Sequence, residues 1–151
     1  MRPDPLLGSI RARARRMSVP RSKIFWLAIV YTVASLAHFS HNAEYIAFYP
    51  GLPSWMSRES VYLAWMGVAF VGLLSLGFWQ RGYPRIGAVF LMAYGLLGVN
   101  GLLHYTLALC SEHTWGANLT IWSEVVTGVA LACAAAVKLR RLTSKDLFAG
   151  A

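Results

Sequence analysis

The chain has 151 residues, of which 57% are hydrophobic and only 13% charged, with a formal net charge of +8. So little charge cannot clothe a soluble domain of this size, which excludes a soluble class and points to one membrane domain. The Lys and Arg surplus lies outside the apolar runs, not on an aromatic-interleaved basic face, which excludes nucleic acid as a partner.

Residues 1–23 carry Arg2, Arg11, Arg13, Arg15, Arg16, Arg21 and Lys23, with Pro3, Pro5 and Pro20. They read as a basic cytoplasmic tail, either simply solvated or with a short amphipathic piece on anionic headgroups. Residues 24–46 form the first predicted span. The same stretch, ending in Ser35-Leu36-Ala37, also has the layout of a cleavable signal peptide that would leave His38 as the new N-terminus. Apolar character continuing beyond that point favours a retained span.

Residues 47–59 form an outer loop, where Pro50, Gly51 and Pro53 break helices and Phe48, Tyr49 and Trp55 suit a membrane interface. Ser57 or Ser60 is placed to cap the next helix. The second span, 61–79, has no ionisable side chain, and its Gly67 and Gly72 would permit close helix approach. Residues 80–85 make a tight inner turn. The third span, 86–109, contains Asn100 and His104, and the outer loop after it carries Glu112, His113 and Trp115, read as ordinary loop residues. The fourth span, 119–137, holds Glu124 near its outer end, and a basic cluster leads into a C-terminal tail, 142–151. Of the 14 Lys and Arg residues, only Arg58 falls in an outer loop. The positive-inside pattern therefore predicts an all-α, four-helix transmembrane bundle in an inner membrane, with both termini cytoplasmic. Cys110 and Cys133 have neither a CxxC nor a zinc spacing and fall at different depths, so they read as packing thiols. No internal repeat and no low-complexity tract is evident.

Titratable side chains are costly in hydrocarbon and usually face a bundle interior or a wet cavity. His38, His41 and Glu44 are spaced by three and would share one helical stripe. A rise of about 1.5 Å per residue sets His38 and Asn100 level, roughly 12–14 Å below the outer ends. Glu124 comes slightly shallower, and His41, Glu44 and His104 lie nearer the interface. Asn100 and His104, four apart, would share a face. Singly, each has an ordinary explanation: wetting by headgroups for His or Glu, a helix–helix hydrogen bond for Asn. Together they predict an outward-opening polar pocket, floored by His38 and Asn100 and flanked by Trp122 and Tyr105.

Such a pocket admits several chemistries. His38, His41 and Glu44, with His104 added, have donors suited to a divalent transition metal, although no HExxH-type signature is present. Haem ligation by paired histidines finds little room, with only Gly101 small beside Asn100. A metal ion or a small amphiphilic ligand is the preferred occupant. Acid–base catalysis on an isoprenoid or other lipid-soluble substrate, of isomerase or cyclase type, is the alternative. It would use Glu44 or Glu124 as acid, His41 as base and Asn100 as orienter. A third reading is a non-catalytic subunit whose polar cluster fixes packing in a homo-oligomer or a larger membrane complex. A transport path fits least, because the inner half offers no polar continuation.

His41-Asn42-Ala43-Glu44, then Tyr45 and Tyr49-Pro50-Gly51-Leu52-Pro53-Ser54-Trp55, resembles the HXXEE-motif family of small bacterial membrane proteins. Asn100-Gly101-Leu102-Leu103-His104 is similar to that family's second polar motif, and the likeness covers most of residues 30–137. Tyr45 stands where the motif has its second glutamate. The resemblance implies four to six membrane helices and a His, Glu and Asn site, with no assigned activity.

Overall fold

The structure, a computed structural model, describes residues 23–49 and 51–149, with side chains through residue 144. The expected basic tail up to residue 22, Pro50 and residues 150–151 lie outside the described residues. Four helices carry the fold: α1, Lys23–Glu44; α2, Arg58–Gln80; α3, Pro84–Leu107; and α4, Trp115–Ala149. No strand occurs among the described residues. Each helix contains an 18-residue window of mean hydropathy between 1.4 and 1.9, long and apolar enough to cross a membrane. A helix satisfies its own backbone hydrogen bonds, the requirement for any segment within hydrocarbon. The chain is thus all-α, with the composition of a multi-pass membrane protein.

Local chemistry sets the helix ends. Ser57 caps α2: its hydroxyl accepts from the Ser60 amide at 3.3 Å while Ser60 Oγ accepts from the Ser57 amide at 2.9 Å. Both candidate caps therefore act, in one reciprocal box. Gly82, at φ 87°, turns the chain out of α2, and Pro84 opens α3 where a backbone N–H would be unpaired in any case. α1 passes through Ser35-Leu36-Ala37 without interruption. α4 does not stop near residue 137 but continues to Ala149, so residues 142–149 of the expected tail extend the last helix.

The helices alternate in direction. At one end Lys138 Nζ lies 5.6 Å from the Trp79 ring centroid, and Ser75 Oγ donates to the Gly87 carbonyl at 2.8 Å. At the other, Gly51 abuts Leu107 and His41 abuts Gly116. The first is called here the terminal end and the second the loop end. α4 packs broadly on α3 and α1, whereas α1 and α2 meet less extensively.

The α3–α4 seam is made from missing side chains. A Cβ on Gly95 would sit 2.5 Å from the Gly128 carbonyl oxygen and 2.8 Å from the Ala132 amide nitrogen. Without a hydrophobic drive between helices in lipid, such small residues let backbones touch and gain dispersion contacts. The fully buried Tyr31 of α1 plugs the seam, pressed on Gly98 and Gly128, with its ring edge-on to Tyr94 at 4.6 Å. Of the two glycines expected to permit close approach, Gly72 meets the Tyr94 ring, while nothing lies within 4 Å of a Cβ on Gly67.

The last third of α3 changes winding. Gly98–Leu103 is a 3-10 segment, followed by one α turn, His104–Leu107. This change decides which polar residues meet.

Candidate functional site

All four histidines of the chain gather at the loop end. His38 and His104 stand 5.3 Å apart by ring centroids, and His104 and His113 6.1 Å. Tyr49, buried under the α1–α2 loop, touches the rings of His41, His104 and His113.

Asn42 is the clasp at the centre. It lies one helical turn beyond His38 on α1, so both point the same way. Its Nδ2 is 3.1 Å from His38 Nε2 and 3.1 Å from His104 Nε2. An amide nitrogen carries two hydrogens, so one side chain donates to both imidazoles and fastens α1 to α3. Each Nε2 is then an acceptor, and the His38 ring proton sits on Nδ1, facing Thr120 Oγ1 at 3.4 Å. Thr120 donates its own hydroxyl to the Ala117 carbonyl and keeps a lone pair free to accept. His41 Nδ1 lies 2.7 Å from the Tyr49 hydroxyl. Burial pushes the Tyr49 phenol up from its ordinary value, so this hydroxyl stays a donor. His113 Nδ1–H donates to the Leu109 carbonyl at 3.0 Å, which leaves Nε2 as a buried lone pair with no partner among the described residues.

On the inward side of this clasp lies Glu124, with its Oε2 3.6 Å from His38 Nε2 and both side chains almost wholly buried, 2% and 3% exposed. That separation is beyond a hydrogen bond but close enough to share a proton after a small movement. No Lys or Arg among the described residues pairs with this carboxyl. Gly101 faces it, with a would-be Cβ 3.5 Å from Oε2. Below it, Ser35 Oγ and Tyr31 OH are buried without hydrogen-bond partners among the described residues, as is Asn42 Oδ1. Buried polar atoms usually find partners, and Ser35 and Tyr31 lie close enough to Glu124 to interact with it, so a small movement would bring these hydroxyls into hydrogen bonds around the carboxyl.

The expected pocket needs three corrections. Glu44 is exposed and turned to α2, where Arg58 donates at 2.7 and 2.9 Å and the Tyr62 hydroxyl at 2.8 Å. The next helix takes it away from the histidines. Asn100 is exposed and makes no hydrogen bond among the described residues. Residues four apart differ by about 40° on an α-helix but by about 120° on a 3-10 helix, so Gly98–Leu103 turns Asn100 outward while His104 faces in. The proposed metal donors His38, His41, Glu44 and His104 do not converge either. Asn42 stands between His38 and His104, His41 is held by Tyr49, and no trio of His, Cys, Asp or Glu that could hold a metal ion exists among the described residues.

Other expectations meet their residues differently. Tyr105 and Trp122 do pack together, 6.2 Å apart, but Tyr105 donates to Asn118 Oδ1 at 2.8 Å and Trp122 is 49% exposed, so they form the rim. Cys110 and Cys133 are both free thiols. Asn42 and His113 had no place in the predicted site, although the spacing of four from His38 to Asn42 was a readable signal. No family model matches the chain, and no curated protein or solved structure is significantly similar to it.

Proposed function

We propose that this multi-pass chain uses Glu124 and His38 as an intramembrane acid–base pair, exchanging a proton with a small lipid-soluble ligand that enters from the loop end. One observation carries the reading: a carboxyl and an imidazole 3.6 Å apart, both buried, with Asn42 linking the imidazole to His104. Carboxylates are expensive in a low-dielectric interior without a cation, and groups so placed are usually functional. A carboxyl beside a neutral imidazole is the least equipment that gives and takes a proton at one point. In this role Glu124 and His38 are the exchanging groups, Asn42 and Thr120 fix the imidazole, and His104 leads toward the loop surface. Glu44 and Asn100 have no part in it.

A second reading rests on Asn42: two hydrogen bonds from one amide are a packing clasp between helices, which a structural subunit would also need. Infrared difference spectra of the reconstituted protein over a pH titration separate the two. An acid–base pair gives a titrating carboxyl band that Glu124→Gln removes and His38→Gln displaces. Lipid extracts of cells expressing wild type and Glu124→Gln would then differ in one lipid-soluble compound. A carboxyl band that never titrates, with variants that change stability alone, sinks the acid–base reading and leaves the clasp.

A further inference from the structure

A large cavity lies away from the histidines. Between α1 and α2 an open groove of about 1000 Å³ runs toward the terminal end, walled by Phe25, Ile29, Phe70, Leu73 and Leu76. Trp65 lies deep within it, and Gln80, Arg81 and Gly82 form its mouth. The hydroxyls on its wall are paired, Thr32 Oγ1 with Tyr94 OH at 2.9 Å and Ser75 Oγ with the Gly87 carbonyl at 2.8 Å, and the Trp65 indole N–H is the one buried polar atom of the lining without a partner among the described residues. From Trp65 to Arg81, sixteen residues of helix give a length of about 24 Å. That exceeds half of a hydrocarbon core about 30 Å thick, so a chain entering at the mouth lies in the groove at full length.

Charge decides what the mouth receives. Arg81 is exposed, and its guanidinium makes only a 3.5 Å contact with the Gly77 carbonyl. Lys23, Lys138, Arg140 and Arg141 crowd the same end. The carboxylates whose side chains are described, Glu44, Glu59, Glu112 and Glu124, all lie in the loop-end half. The groove thus opens from an apolar trough onto a rim of cations with no carboxylate near them among the described side chains. That pairing is complementary to one kind of molecule, an anionic amphiphile with long acyl chains.

We infer that the α1–α2 groove is a binding site for one anionic phospholipid, with its acyl chains laid along α2 and its phosphate at Arg81. The lipid completes the least extensive contact between neighbouring helices of the bundle and fixes α2 against α1. The site is separate from the Glu124–His38 pair and does not depend on it.

The test uses the full chain in mild detergent, supplied with phosphatidylglycerol or phosphatidylcholine of identical chains and observed by native mass spectrometry. The wild type is expected to keep one phosphatidylglycerol through detergent washing and to lose phosphatidylcholine. Ala69→Trp, which fills the trough, abolishes retention. Arg81→Gln abolishes the preference between the two lipids. Should Ala69→Trp fold poorly, a photoactivatable phosphatidylglycerol on the wild type reads the same site, crosslinking at Ile29 and Leu73 in preference to the lipid-facing Leu119 and Val126. Equal retention of both lipids, full retention by a folded Ala69→Trp variant, or crosslinks spread evenly over the surface would overturn the proposal. So would a dimer that Ala69→Trp breaks, which would give the groove to a second copy of the chain.

Discussion

Gly95→Ala and Gly67→Ala make the same chemical change in two apolar helices and should have opposite effects. At Gly95 the new methyl lies 2.5 Å from the Gly128 carbonyl oxygen, against about 3.4 Å for an ordinary contact, so α3 must withdraw by about 0.9 Å. The obstacles are backbone atoms of α4, and no change of rotamer relieves them. A gap of 0.5–1 Å forfeits roughly a quarter to a half of each dispersion contact it opens. Overpacking of this kind costs about 1–3 kcal/mol, and rigid obstacles put Gly95 at the upper end. The better helix propensity of alanine returns up to about 1 kcal/mol, leaving a net loss of about 2 kcal/mol. At Gly67 nothing lies within 4 Å of the new Cβ, so only the gain of up to about 1 kcal/mol remains. Unfolding midpoints from detergent titration in mixed micelles should therefore place the two variants on either side of wild type. A Gly95→Ala variant as stable as Gly67→Ala would mean that the α3 and α4 backbones do not touch.

Asn42→Ala removes two hydrogen bonds and leaves two buried imidazole nitrogens unpaired. The same titration should show a loss of about 1–3 kcal/mol. Asn42→Gln should not restore it, because the longer side chain cannot place one nitrogen between both rings. Glu44→Gln and Asn100→Leu are the contrasting cases. The Glu44–Arg58 pair is exposed and Asn100 has no partner among the described residues, so neither change should move the unfolding midpoint or the titration of the Glu124 carboxyl. Displacement of that carboxyl band by Glu44→Gln would show that the two carboxyls share a site after all.

Much of the architecture could be read from hydropathy, because a membrane helix must be apolar over its full length and flanked by charge or turn residues. The span expected at 61–79 became Arg58–Gln80, the difference being the first turn that follows the Ser57 cap and one residue, Gln80, at the other end. Depth brought His38 and Glu124 to similar levels, since depth follows from residue count where winding is regular, although Glu124 was expected slightly shallower and the structure sets it on the inward side of the Asn42 clasp. Angular position is more fragile. Asn100 went astray because six residues of 3-10 winding turned it outward, and nothing in Gly-Val-Asn-Gly-Leu-Leu announces that winding without its neighbours. Glu44 went astray because Arg58 and Tyr62 belong to another helix, whose facing side no single segment reveals. His113, in a loop, entered the cluster through tertiary contact with Tyr105 and Tyr49. The α1–α2 groove depends on two helices failing to close, which no periodicity encodes.

The 3-10 segment also sets how the chain can change in length. An extra residue beside the exposed Trp55, in the loop between α1 and α2, would bulge outward and disturb little. One extra residue within Gly98–Leu103 would rotate everything beyond it by about 120° and carry His104 away from Asn42. Three extra residues would restore the angle but advance the imidazole by about 6 Å, past the amide that holds it. No small insertion satisfies both conditions, so the position of His104 rests on the segment keeping its six residues.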